Sequence, residues 1–85
     1  MLTPTINPNG TDADVLYAEA ADAYDAVRAA RMAVAKMTVH GRDFGDTVQQ
    51  ALADQHRIYV TLQALENELR EYALALDMQR DTHTR

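Results

Sequence analysis

The chain has 85 residues, no cysteine and a formal net charge of −5. It is long enough for one small domain, it can form neither disulfides nor thiolate metal sites, and its acidic balance argues against non-specific binding to nucleic acid or to an anionic membrane surface. Because a chain this short buries a limited share of its surface, we expect association with other chains to supply part of its stability. Neither a signal peptide nor a membrane-spanning apolar run is apparent.

Residues 1–11 predict an extended N-terminal arm, because Pro4 and Pro8 oppose helix formation. Leu2 and Ile6 give the arm two apolar side chains. The arm is expected either to fray or to become ordered by docking on a neighbouring subunit.

A first helix is predicted over about residues 12–38. Thr11 followed by Asp14 has the spacing of a capping box, and acidic residues precede basic ones along the segment, which suits the helix dipole. The apolar stripe has a 4,3 spacing and is rich in alanine, so a second helix could approach closely. Its members are Leu16, Ala20, Ala23, Val27, Ala30, Val34 and Met37.

The connection at about residues 39–43 contains His40, Gly41 and Arg42, which we predict to form the turn. Gly41 can adopt the left-handed conformation that ends a helix. A tight helix-to-helix turn is favoured over a very short β-hairpin.

A second helix is predicted over about residues 44–79, where core-type residues keep a 4,3 spacing that averages 3.5 residues. The sequence therefore predicts an all-α fold, an antiparallel two-helix hairpin with heptad-like seams over residues 12–80, followed by a polar tail at 81–85. The residues expected on the helix seam or an interface are Leu16, Val27, Val34, Phe44, Val48, Gln55, Ile58, Leu62, Leu65, Leu69, Tyr72 and Leu76.

The second helix is the longer of the two. A simple hairpin would place Leu16 near Leu65 or Leu69 and would leave Tyr72 and Leu76 without cover from the first helix. Exposed apolar area is unfavourable, so this overhang predicts a partner and packing in an oligomer.

No catalytic, cofactor or metal site is predicted. The three histidines lack metal-ligand spacing, and the sequence has neither a serine nor a glycine-rich phosphate loop. Glu66, Glu68 and Glu71 are expected on the solvated outer face of the second helix. Gln55 breaks the apolar rule of the seam, where it either specifies register or places its amide in water at the rim.

The middle of the chain combines an alanine-rich helix, the connection Lys36-Met37-Thr38-Val39-His40-Gly41-Arg42, and a leucine-rich helix containing Leu65-Glu66-Asn67-Glu68-Leu69. Over about residues 15–70 this arrangement resembles the small head–tail joining (head-completion, gpW-like) proteins of tailed bacteriophages. The resemblance implies a component of the virion neck that docks on the portal.

Two functions are therefore expected. The first is a non-enzymatic structural virion protein, a connector, completion or similar capsid-associated subunit, with copies of itself and portal or other virion proteins as partners. The second is a cytoplasmic helical-hairpin interaction module, either a dimeric adaptor or a secretion-system substrate. The Trp-x-Gly turn of one such secreted family is replaced here by His40-Gly41-Arg42.

Overall fold

The computed structural model describes residues 1–5 and 10–83, with side chains as far as Gln79. The elements are α1 (Ala13–Ala35), the one-turn helix α2 (Gly41–Phe44), a 3₁₀ turn (Gly45–Thr47) and α3 (Val48–His83). The two long helices pack against each other, which confirms the predicted all-α fold. Residues 6–9 of the predicted arm, which include Ile6 and Pro8, and residues 84–85 of the predicted tail lie outside the described residues.

Helix α1 begins one residue later than the capping pattern suggested. Asp12 is the N-cap, and its Oδ1 accepts a hydrogen bond of 2.7 Å from the backbone N–H of Asp14. The expected cap at Thr11 is therefore wrong, and an aspartate, another favoured N-cap residue, takes its place. At the other end, the N–H groups of Lys36 and Met37 donate to the carbonyls three residues earlier, which tightens and ends the helix.

The connection between the long helices covers residues 36–47, so it is longer than the predicted turn. His40 is extended, and its Nδ1 accepts a 3.0 Å hydrogen bond from the N–H of Arg42, which caps α2. Gly41 is helical, so the left-handed conformation expected there is wrong. Gly45 has the positive φ, 54°, at the end of α2.

This difference between the two glycines predicts opposite responses to alanine. Gly45→Ala should lower the free energy of unfolding by about 1–3 kcal/mol, because an L-residue at φ 54° and ψ −126° is strained. Gly41→Ala is the matched control. It adds a methyl group in open space within a helix, so it should leave stability unchanged or raise it by up to about 1 kcal/mol. Urea denaturation of the two variants tests the assignment, and equal effects would contradict it.

The long connection shifts the pairing of the helices towards the C-terminal part of α3. Gln55 lies opposite the end of α1, and its Nε2 donates to the carbonyls of Val34 (2.8 Å) and Met37 (3.0 Å). Gln55 thus adds a side-chain donor to two carbonyls at the end of α1, of which that of Val34 also accepts from the backbone N–H of Met37. Leu16 lies near both Leu69 and Tyr72, around one small cavity.

The expected bare overhang of α3 is wrong. Leu76 is 0% exposed and Tyr72 is half-buried. Besides the shifted pairing, the described part of the arm, residues 1–5, lies along α3 of its own chain. The carbonyl of Pro4 accepts a 2.9 Å hydrogen bond from Gln79 Nε2, and the α-ammonium group of Met1 lies 3.0 Å from Glu68 Oε1. Helix α3 also continues through His83, into the predicted polar tail.

The hairpin is narrow, with extents of 60 × 18 × 16 Å. Among the side chains that the structure describes, three are buried: Ala20, Glu66 and Leu76. Two packed helices offer each other one face only, so most apolar side chains remain partly in contact with water.

Candidate interaction surface

A polar cluster occupies the middle of the contact between α1 and α3. The guanidinium group of Arg31 on α1 binds the carboxylate of Glu66 on α3 through two nitrogens, with Nε on Oε2 and Nη2 3.4 Å from Oε1. Its Nη1 donates a 2.8 Å hydrogen bond to the hydroxyl of Tyr59. Such two-point contacts between arginine and a carboxylate are directional and fix the relative position of both groups.

The expectation that Glu66 lies on the solvated outer face is therefore wrong, and the exposed fraction of its side chain is 7%. The hydrogen bond from Arg31 lowers the pKa of Glu66 most, while burial acts in the opposite direction. The positive charges of Arg31 and Arg28 and a hydrogen bond from Tyr24 lower this pKa further. The glutamate is thus held ionised inside the hairpin.

Sequence reasoning missed this cluster, although a signal was present. Tyr24 and Arg31 are seven residues apart on α1, as are Tyr59 and Glu66 on α3. Residues at this spacing lie on one side of a helix in a packed pair, so the sequence indicates one row of polar side chains on each helix. That the two polar rows contact each other becomes clear only from the way the helices pair in the structure.

The cluster determines which apolar residues of α3 stay outside the contact. Tyr59 and Glu66 face α1, and each follows a residue predicted for the seam, Ile58 or Leu65. One residue corresponds to about 100° of rotation, so Ile58 and Leu65 lie beside the contact rather than within it. They are 38% and 44% exposed. We name the side of the hairpin that carries Ile58 and Leu65 the strip side.

The strip side is apolar along its centre and carries charges of both signs at its margins, where Arg57 lies about three helical turns before Glu68. Asp54 lies one helical turn before Ile58, and Glu68 lies about one turn after Leu65. Near the N-terminal end of α1, Glu19 lines the same cavity as Met1 and Tyr72. The arm therefore covers only one end of the strip side, and Ile58 and Leu65 remain exposed.

The opposite side of the hairpin, which we name the cluster side, carries charges of both signs, since Asp77 follows Arg70 by seven residues and Asp14 precedes Arg28 by fourteen. It carries Arg28 and Arg31 of α1, and Arg70 of α3 lies one turn after Glu66. An open cavity of about 190 Å³ lies on this side, beyond the polar cluster. The cavity is lined by Ala35, Leu52, Gln55, His56 and Tyr59.

The remaining predicted seam residues are half-buried, except for Leu76, which is fully buried, and Phe44, which is 41% exposed. The half-buried members are Leu16, Val27, Val34, Val48, Gln55, Leu62, Leu69 and Tyr72. The predicted turn residues His40, Gly41 and Arg42 lie at the start of α2, at the end of the hairpin where α1 stops. They are separate from the strip side.

Within the described residues, no group of three or more histidine or acidic side chains is placed to hold a metal ion, and no helix is long and apolar enough to cross a membrane. Comparison with protein-family models, curated proteins and solved structures found no match to this chain. Functional inference therefore rests on the surface of the hairpin.

Proposed function

We propose that this chain is a non-enzymatic structural subunit that works by packing side by side with other helical protein chains through the strip side. The single observation that carries the proposal is the exposure of Ile58 and Leu65 along one side of a hairpin with few buried residues. A row of large aliphatic side chains in water is unfavourable, and a protein partner would remove it from solvent.

The particular assembly that we propose is the neck of a tailed-phage virion, where the subunit would contact its own copies and the portal or other virion proteins. This step rests on the resemblance of residues 15–70 to head–tail joining proteins. A cytoplasmic interaction module, acting as a dimeric adaptor or secretion-system substrate, is the second candidate. The same exposed side supports it.

The proposal predicts that association depends on the strip side alone. The double variant Ile58→Gln/Leu65→Gln should shift the concentration of half-association upwards by tenfold or more, because two partly buried aliphatic contacts contribute roughly 1 kcal/mol each. The matched control is Val60→Gln/Leu74→Gln, which alters two other exposed aliphatic residues of α3. Light scattering over a dilution series measures the mass, with helicity followed by circular dichroism.

The wild-type chain and the control variant should associate weakly and in proportion to concentration, as expected for a subunit that completes its assembly on a template. A dilution-resistant dimer or tetramer would instead favour the cellular module. If the strip and control variants associate equally, the strip side is not the contact surface and the proposed function loses its support.

A further inference from the structure

We infer that the N-terminal arm is an autoinhibitory strap: in the free chain residues 1–5 occupy the C-terminal half of the strip side, and a helical partner chain that packs along the whole strip side displaces them. The inference rests on the proposed function and adds a control on its contact surface. This half of the surface is therefore covered by the chain's own arm before association and by the partner afterwards.

The strip side continues past Leu65 and under the arm. Its members on α3 follow one another at seven-residue intervals: Ile58, Leu65, Tyr72 and Gln79. Residues at this spacing lie on one side of a helix in a packed pair. Ile58 and Leu65 are exposed, whereas Tyr72 is half-buried and lines a cavity together with Met1. The arm thus divides one continuous row into an exposed half and a covered half.

Two polar contacts define the path of the arm along this row. At one end the α-ammonium group of Met1 lies 3.0 Å from Oε1 of Glu68, which is placed between Leu65 and Tyr72 along the helix. At the other end the carbonyl of Pro4 accepts the 2.9 Å hydrogen bond from Nε2 of Gln79. The described arm therefore runs in the direction of α3 over the covered half of the row.

The arm covers this surface without filling it. Met1 and Leu2 are 66% and 93% exposed, so the two large apolar side chains of residues 1–5 stay largely in water. A cavity of about 170 Å³ remains beside Met1 and is lined by Leu16 of α1 and Tyr72 of α3. Both partners of the ion pair are exposed, and such pairs contribute little because water screens them. A partner that places an apolar side chain in the cavity makes closer contacts here than the arm does.

Displacement of the arm lengthens the apolar row that a partner can bury. With the arm lifted, Tyr72 joins Ile58 and Leu65 over about 21 Å of helix. A longer apolar contact binds more tightly, because more apolar area leaves water. The arm and the partner compete for the same residues, so holding the arm in place must weaken association and releasing it must strengthen association.

Tethering the arm within the full chain tests this competition. Because the chain has no cysteine, the variant Pro4→Cys/Gln79→Cys has two thiols, at positions that are in contact in the structure. A short bis-maleimide joins the two thiols of single copies at high dilution. The matched control is the same variant with both thiols blocked by N-ethylmaleimide. In light scattering over a dilution series, the tethered chain should need at least a tenfold higher concentration for half-association than the control.

Releasing the arm should have the opposite effect. Glu68→Gln removes the carboxylate that holds the α-ammonium group of Met1. Its matched control is Glu71→Gln, which makes the same change of charge at another exposed position of α3. Relative to this control, Glu68→Gln should lower the concentration of half-association by about two- to fivefold, the factor that corresponds to an exposed ion pair.

Three results would overturn the inference. Equal association of the tethered and blocked chains would show that the arm does not compete with the partner. Association of Glu68→Gln no tighter than that of Glu71→Gln would show that the ion pair does not restrain the surface. Abundant covalent dimer from a bis-maleimide and a mixture of the single variants Pro4→Cys and Gln79→Cys would place the arm on a neighbouring copy.

These failures can be told apart from a failure of the proposed function. In each of the three cases the comparison of strip and control variants by light scattering still tests whether the strip side is the contact surface. A chain that stays monomeric at every concentration, tethered or not, would overturn the proposed function and this inference with it.

Discussion

Leu76→Ala should lower the free energy of unfolding by about 2–5 kcal/mol, the range observed when a fully buried leucine is truncated. Leu76 is the largest side chain with no solvent exposure among those described, and it lies about one turn before Gln79, whose Nε2 donates to the carbonyl of Pro4 in the N-terminal arm. A domain of this size has a total stability on the order of 4–13 kcal/mol, so this one change removes a large share of it.

The control for this change is Leu74→Ala, two residues away on the same helix and 54% exposed. It has the same effect on helix propensity but removes little buried area, so it should cost well under 1 kcal/mol. Urea denaturation followed by circular dichroism measures both. Equal losses for the two variants would mean that Leu76 is not enclosed as described.

Breaking the pair between Arg31 and Glu66 should be strongly destabilising from either side, whereas replacing both residues should not. Arg31→Met leaves the Glu66 carboxylate largely buried without its main partner, and Glu66→Leu leaves the guanidinium group in the same position. The double variant Arg31→Met/Glu66→Leu removes both charges, and a buried pair can often be exchanged for apolar groups without loss. We expect it to regain most of the stability that either single variant loses, as measured by a double-mutant cycle.

The same pair predicts a pH dependence. Because the pKa of Glu66 is lower in the folded than in the unfolded chain, its ionised form stabilises the folded state above the unfolded pKa of about 4.3. This contribution should disappear as the pH falls from about 4.3 towards the folded pKa. Glu66→Gln should flatten that part of the stability profile, measured by thermal unfolding between pH 7 and pH 3. An unchanged profile would contradict the assigned pair.

The fold could be predicted to a large extent because the sequence carries local and periodic signals. The 4,3 spacing identified both long helices, and the glycine-containing segment between them identified the turn region. The length of the connection was not predictable in the same way. His40 uses its side chain to cap an additional helical turn, and the positive φ of the connection falls at Gly45 rather than at Gly41. Both depend on local hydrogen bonding that the apolar pattern does not record.

The surface was harder to predict because it depends on how α3 is rotated about its axis. Apolar periodicity alone favours Ile58 and Leu65 as the inward residues. The hydrogen bonds of Arg31 with Tyr59 and Glu66 favour the residues that follow them. Arg31 and Glu66 are 35 positions apart in the sequence. The seven-residue spacing indicates a polar row on each helix, but it does not indicate that the two rows contact each other.

The slender form of the hairpin affects how its mass must be measured. A compact domain of 85 residues has a radius of gyration near 12 Å, whereas this chain has 18.3 Å. A rod diffuses more slowly than a sphere of equal mass, so a single copy will elute from a gel-filtration column ahead of globular standards of its weight. Elution volume alone would therefore make a monomer resemble a dimer.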